Sequence, residues 1–376
     1  MSLITNTIEP TSINDVARLI QEVGDDITVI VESEPGCGKT SILKMLAEAN
    51  GDEWRKDGDV YPNDTHEYAY IDCCTVGDGD MGTMIPVMES RTMDFFVSKL
   101  LKLTSGKPII IMLDEFLKVN KLLKPMFTKL ILERVAGDRP LSKGSKVFAT
   151  SNNSSDGVND TIEAHVGNRV LRIQMAKPDH IVFNLWATKN KLSALIRSWV
   201  TFKPNALHSY KTCTPAQLLT NEFIFNPSKP AVTFVSPRSL EKADRVLSKR
   251  TVLGETLTKA ALAGVVGPAA AESLMMFARL DKDLVPVPVI LKDPETTPVP
   301  TSVGPLLMTL FKAVDELTNQ DELTRFLKWV GRIESSEYRE VFYAMICSSA
   351  RTARMARQNA QMNEWFTKEE NYKIVN

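Results

Sequence analysis

The sequence predicts an α/β fold, a parallel sheet flanked by helices, followed by an all-helical region. Three observations carry that expectation. Short, continuously apolar runs alternate with helical patterns through the first half of the chain, and a strand apolar along its whole length belongs in a sheet covered on both faces. A glycine-rich loop joins the first apolar run to the first helical pattern. Beyond about Lys177 the strand patterns stop and helical ones take over.

Taken in order, Ile27–Val31 (ITVIV) reads as a buried strand and Ser41–Ala49 as a helix ended by Asn50 and Gly51. Tyr68–Asp72 (YAYID) is a second strand, and Met93–Leu103 reads as a helix. Ile109–Leu113 (IIIML) is a third strand, followed by a helical stretch to about Arg134, and Lys146–Thr150 (KVFAT) is a fourth. Asp179–Lys189, Lys191–Val200 and Ser239–Lys249 read as helices, and Leu257–Leu280 is rich in Ala and Leu. The stretch 281–305 holds six of the 20 prolines and is expected to be an extended connector unable to sustain a helix. From Leu306 to about Gln361 the pattern is helical again, and no internal repeat occurs. The expected organisation is therefore an α/β domain over 1–177, a helical domain over 178–281, a proline-rich connector over 282–305 and a C-terminal helical region over 306–376.

Composition narrows the class of function. Hydrophobic residues at 43% and charged residues at 24% are near the globular average, which excludes disordered, collagen-like and coiled-coil chains. Lys+Arg at 45 against Asp+Glu at 46 gives a net charge of -1, so the chain does not grip nucleic acid by bulk positive charge. No apolar run reaches the roughly 18 residues of a membrane span, and MSLITNTIEP lacks the basic and apolar regions of a signal peptide; a soluble, non-secreted protein is expected. The five cysteines, Cys37, Cys73, Cys74, Cys213 and Cys347, are odd in number with two adjacent, which fits a reducing compartment better than a disulfide framework. The four histidines are scattered, and no Cys/His spacing points to zinc.

The chemistry is carried by the ends of three apolar runs. Ser33–Ser41 reads SEPGCGKTS, which matches the phosphate-binding pattern GxxxxGK[ST] from Gly36 onward, with Ser33 where the pattern has its first glycine. In such a loop the backbone N–H groups of Glu34, Pro35's neighbours Gly36, Cys37 and Gly38, and the opening of the following helix at Ser41, curl around phosphates. Lys39 reaches the β- and γ-phosphates of ATP, and the Thr40 hydroxyl ligates Mg²⁺. Ile109–Glu115 reads IIIMLDE, a buried strand ending in two acids 75 residues beyond Lys39. This is a Walker B arrangement, with Asp114 for the Mg²⁺ shell and Glu115 to polarise the attacking water. Lys146–Asn153 reads KVFATSNN, so Asn152, beside Walker B in a parallel sheet, is placed to orient that water. The Cys37 thiol, inside the loop at a helix N-terminus, raises the expectation of sensitivity to alkylation.

The order SEPGCGKT, IIIMLDE, FATSN resembles that of AAA+ ATPases. SSDGVNDTIEAHVGNR (154–169), VSPRSLEKA (235–243) and AALAGVVGPAAAESLMMFARL (260–280) narrow the resemblance to the MoxR-like branch of bacteria and tailed phages, over roughly residues 10–300. The resemblance implies a homo-oligomeric ring, usually a hexamer, with ATP bound between subunits. It implies that Asn152 matches sensor 1 and that Arg238, in the helical lid over 178–281, matches sensor 2. It also implies that Arg169 matches the arginine finger supplied to the neighbouring subunit, with Arg172 and Arg134 as rivals. Arginine suits both roles because it stays charged and binds phosphoryl oxygens bidentately. A protein client, with a von Willebrand A-type domain as one partner, and a location in the cytoplasm of a bacterium or phage-infected host complete what the resemblance implies.

Other readings stay open at this point. A nucleic-acid motor or loader shares the machinery but lacks a basic or aromatic appendage here, and a structural ring with little turnover would not need Glu115, Asn152 and Arg238. In the inserted segment 73–90, Met81, Met84, Ile85 and Met88 form either a flexible apolar grip for a partner or packing beneath the loop. Arg351, Arg354 and Arg357 share one helix face, a solvated or intersubunit surface rather than a nucleic-acid contact.

Overall fold

The computed structural model describes residues 9–54, 60–61, 65–77, 79–152, 164–229, 231–348 and 350–366. The chain divides into two compact units, Met1–Lys177 and Pro178–Asn376.

The first unit runs α1 (Ile13–Val23), β1 (Val29–Ser33), α2 (Ser41–Ala49), a ribbon of β2 (Glu53–Trp54) and β3 (Val60–Tyr61), then β4 (Glu67–Asp72). A hairpin of β5 (Gly82–Val87) and β6 (Thr92–Val97) follows, then β7 (Ile109–Asp114) and α3 (Lys124–Glu133). A small ribbon of β8 (Val135–Ala136) and β9 (Arg139–Pro140), β10 (Lys146–Asn152), the single turn α4 (Ala164–Gly167) and β11 (Leu171–Gln174) complete it. Five strands form one sheet in the order β11-β1-β10-β7-β4, and every pairing in it is parallel.

The continuous apolar character of the strands finds its cause here. Alternate side chains point to opposite faces, and both faces are covered. Val29 and Val31 of β1, Ile110 and Met112 of β7 and Phe148 of β10 pack with Val16, Ile20, Ile42 and Leu46 from α1 and α2. Ile30, Ile109, Ile111, Leu113, Val147 and Ala149 pack on the other face with Phe127, Leu130 and Ile131 of α3. Each fully buried side chain of this size contributes roughly 1.5–3 kcal/mol. Local signals fix the helix ends: Ser12 caps α1 by accepting the Asp15 N–H at 3.1 Å, and Arg134, at φ 57°, closes α3 in the left-handed conformation.

One expectation fails in this unit. Residues 93–103 do not form a helix; Thr92–Val97 is a strand paired antiparallel with Gly82–Val87, followed by 3₁₀ turns at Lys99–Leu101 and Leu103–Ser105. The spacing of Met93, Phe96 and Leu100 suits a helix as well as a strand, and tertiary packing decides. Phe95 is buried, with its ring against Gly82, where a Cβ would lie 2.3 Å from the Phe95 Cζ. Only glycine at position 82 leaves room for that ring.

The second unit is wholly helical among the described residues: α5 (His180–Lys189), α6 (Ala194–Phe202), α7 (Pro215–Thr220), α8 (Pro237–Leu247), α9 (Arg250–Val266) and α10 (Pro268–Arg279), then α11 (Val287–Lys292), α12 (Val303–Glu316), α13 (Gln320–Val330), α14 (Ser336–Cys347), α15 (Ala350–Arg357) and α16 (Ala360–Phe366). Asp179, Ser193 and Ser236 cap α5, α6 and α8. It has two cores, one built mainly from 183–278 and one mainly from 287–365. Helices α6 and α12 join them, since Ala194 of α6 sits in the second core and Met308 of α12 in the first. The buried Arg197 pairs with Asp315 across that junction and lies 5.2 Å from the centre of the Phe311 ring.

The proline-rich stretch also departs from expectation. Within 281–305, Val287–Lys292 is a helix with Pro288 in its first turn, where the missing N–H costs nothing. Val287 and Ile290 are buried in the 287–365 core, and the Thr297 carbonyl accepts from Trp329 Nε1 at 3.2 Å and Arg332 Nη1 at 2.7 Å. The segment is packed against α13 rather than extended as a free connector. Arg351, too, is specifically engaged. Its guanidinium donates to the carbonyls of Val314, Asp315 and Leu317 at the end of α12, satisfying acceptors that a helix C-terminus leaves bare.

Candidate functional site

The site lies where β1, β10 and β7 end side by side. In an open parallel sheet ligands enter at the carboxyl ends of the strands, where successive connections diverge to opposite sides. Here β1 is flanked by β10 and β11, so its outgoing loop opens into such a crevice. Register sets the neighbours: Ser33 is level with Asn152, and Asp72 with Asp114.

The loop after β1 has the form that phosphate recognition needs. Gly36 at φ 78° and Gly38 at φ 93° both occupy conformations that favour glycine, and the Ser41 hydroxyl donates to the Gly38 carbonyl at 2.6 Å. Ser33, the departure from the pattern, is not among the left-handed residues, so the position does not demand glycine. Its hydroxyl instead lies 3.3 Å from Lys39 Nζ. Glu34 is buried with its carboxylate 3.9 Å from Lys177 Nζ, and Cys37 is 4% exposed.

Lys39 is itself only 6% exposed. Its ammonium donates to Asn152 Oδ1 at 2.7 Å and lies 3.5 Å from the carbonyls of Ser33 and Glu34. The Asn152 amide turns its other end to Glu115, with Nδ2 at 2.9 and 3.1 Å from the two carboxylate oxygens. Ammonium on one side and carboxylate on the other fix which end of the amide is which. Glu115 also meets Lys118 Nζ at 2.9 Å. Burial pulls the Lys118 ammonium down, but the hydrogen bond and charge of Glu115, with Asp114 behind it, outweigh that and hold it above the ordinary lysine value.

Asp114 is held on every side. Its Oδ2 accepts from Tyr70 OH at 2.9 Å and lies 3.5 Å from Thr40 Oγ1, and its Oδ1 accepts from Thr150 Oγ1. A hydroxyl and a carboxylate facing each other are an oxygen-only donor pair, the type Mg²⁺ takes while retaining most of its waters. Two adjacent ligands of an octahedral Mg²⁺ lie about 3 Å apart, close to this separation, so Thr40 and Asp114 fit the ion.

The sequence motifs thus locate Lys39, Thr40, Asp114, Glu115 and Asn152, which the fold brings together, and they miss Tyr70, Thr150 and Lys118. Arg238 is an exposed residue in the first turn of α8, behind the Ser236 cap. Arg169 is exposed in the turn before β11, and among the described residues its side chain makes no hydrogen bond or ion pair. Its two rivals are committed elsewhere. Arg172 donates to Glu32 through Nε at 2.9 Å and Nη2 at 2.6 Å. Arg134 donates to the Thr28 hydroxyl and the carbonyls of Ile131 and Gly24 at the opposite end of β1. Asn153 and most of the 154–169 segment lie outside the described residues.

The buried Cys37 reverses the expectation of an alkylation-sensitive loop. Cys74, just beyond β4, is the exposed thiol near the site; burial, then Asp72, Glu115 and Asp114, raise its pKa, against Lys118. Under mild treatment with a maleimide, mass spectrometry should find Cys74 labelled well before Cys37. Equal labelling would mean the loop opens far more than its packing implies.

No family model matches the chain, and no curated protein does either. Among solved structures it is similar to a protein of Cytophaga hutchinsonii described as an ATPase, at 14% identity and a TM-score of 0.31, covering 67% of this chain and 80% of that one. It is similar to NtrX of Brucella abortus at 12% identity and 0.32, covering 72% and 68%. RuvB of Thermotoga maritima matches at 12% and 0.30, covering 84% and 72%. The class rests on the strand order and loop geometry themselves, which define a P-loop type α/β fold followed by a helical region. No helix among the described residues is long and apolar enough to cross a membrane.

Proposed function

We propose that the protein is a Mg²⁺-dependent ATPase of the AAA+ type, acting as a MoxR-like ring that remodels or assembles a protein client. The observation that carries the reading is the continuous chain Lys39–Asn152–Glu115 beside Asp114 and Thr40, drawn from three adjacent strand ends. Lys39 and the loop N–H groups would bind the β- and γ-phosphates. Thr40 and Asp114 would hold Mg²⁺, which would supply neutralisation of the charge on the phosphates. Glu115 would take the proton of the attacking water, with Asn152 fixing the carboxylate's direction.

Two further residues belong to the reading on the strength of the motif order. Arg238 would act from the lid as sensor 2. Arg169, exposed and uncommitted among the described residues, would act on the neighbouring subunit's nucleotide, which makes turnover depend on assembly. The hairpin β5–β6 supports a protein client: Met81 is buried, whereas Met84 and Met93 are exposed on one face of the hairpin, Ile85 and Phe96 on the other, and Met88 at its turn. An apolar surface of adaptable methionines is a natural grip for varied partners.

Subunit mixing tests the ring. Arg169→Ala alone should keep nucleotide binding and lose turnover by about 10³-fold or more, the scale of an arginine finger. Mixed with Lys39→Ala subunits it should regain phosphate release, because some interfaces then join an intact nucleotide site to an intact arginine. No recovery at any ratio in rings shown to be mixed would remove the role in trans.

A further inference from the structure

We propose that Thr150 is a positioning residue for the acidic pair at the end of β7, and that metal affinity at Asp114 depends on its hydroxyl. The inference rests on the ATPase reading and adds a residue to it. Thr150 is fully buried in β10, one strand away from Asp114, because Ala149 is level with Leu113. Its Oγ1 donates to Asp114 Oδ1 and accepts the Glu115 backbone N–H at 3.4 Å. The direction of both bonds follows from their partners: an amide N–H can only donate and a carboxylate only accept, so the hydroxyl proton belongs to Asp114.

The two bonds have different consequences. A carboxylate rotates easily about its last torsion, and the bond to Oδ1 stops that rotation. It leaves Oδ2, the oxygen 3.5 Å from Thr40 Oγ1, turned toward the loop. Tyr70 reaches the same oxygen from β4 at 2.9 Å, but Tyr70 is 41% exposed, whereas Thr150 is locked by its surroundings and by its own branched Cβ. The second bond secures Glu115, whose φ of 54° is a left-handed conformation costly for a residue with a side chain. That conformation aims the carboxylate at Asn152. One hydroxyl thereby sets both the metal-binding oxygen and the catalytic carboxylate.

The test uses Mn²⁺ as the probe, read by electron paramagnetic resonance in the presence of a non-hydrolysable ATP analogue, beside analogue binding in EDTA. Thr150→Val should bind the analogue in EDTA as the wild type does, and its Mn²⁺ affinity should fall about 10–100-fold, the usual effect of losing a residue that orients a metal ligand. Thr150→Ser, which keeps the hydroxyl, should stay close to the wild type. Unchanged Mn²⁺ affinity in Thr150→Val overturns the proposal, as does an equal loss in Thr150→Ser, since packing of the methyl group would then be the cause. If Thr150→Val loses its thermal transition, Thr150→Ala removes the same hydroxyl without setting a methyl against the carboxylate, and the same two outcomes apply. A wild-type protein that binds no analogue either in EDTA or with Mn²⁺ present would overturn the ATPase reading itself, a result visible before any variant is made.

Discussion

Lys39→Ala is expected to abolish nucleotide binding, with the dissociation constant for ATP rising by about 10³-fold. A charge-assisted hydrogen bond is worth roughly 1.5–3 kcal/mol, and the ammonium would make at least two to the phosphates. At about 1.4 kcal/mol per decade, that gives the expected factor. The surroundings push in the same direction. Lys39 is buried against the carbonyls of Ser33 and Glu34, the Ser33 hydroxyl and the Asn152 oxygen, so its removal leaves these oxygens facing an incoming polyanion. Lys39→Arg should not rescue, because a planar guanidinium cannot occupy the pocket of a compact ammonium. Calorimetric titration with ATP, beside a thermal melt to show that the variant folds, checks the prediction. Affinity within a few-fold of the wild type would mean that phosphates do not bind at this loop.

Much of this site was legible because its residues sit at strand ends within recognisable local patterns. Lys39 and Thr40 follow a loop whose glycines have a geometric purpose, and Asp114, Glu115 and Asn152 each terminate an apolar run. Tyr70, Thr150 and Lys118 have no such pattern. Tyr70 and Thr150 reach Asp114 from neighbouring strands, and that depends on register, which parallel pairing sets across long sequence separations. Thr150 carries the one usable signal, since it lies two residues before Asn152 and so points to the same side of β10. The fold shows the same division. Strands buried on both faces announce themselves by composition, whereas Thr92–Val97 depends on Phe95 finding Gly82 across a hairpin. The short helix Val287–Lys292 likewise forms because Val287 and Ile290 are buried in the 287–365 core, a tertiary effect that overrides the local count of prolines.

Glu115→Gln should separate binding from chemistry. The substitution preserves shape and one acceptor oxygen, and it leaves Lys39, Thr40 and Asp114 in place, so affinity for ATP should remain close to that of the wild type. Turnover should fall by about 10²–10⁴-fold, the usual contribution of a general base. The neighbourhood explains why an amide cannot substitute. Asn152 Nδ2 donates to both Glu115 oxygens, at 2.9 and 3.1 Å, and Lys118 approaches at 2.9 Å. A glutamine could accept through one oxygen, but its own NH₂ would then face a donor, and it could take no proton from water. The charge matters as much as the geometry, since Lys118 is left without the carboxylate that holds its pKa up. Steady-state phosphate release and ATP titration together decide the matter. Loss of both activities would point to a disrupted loop rather than a missing base, and undiminished release would show that Glu115 does not activate the water.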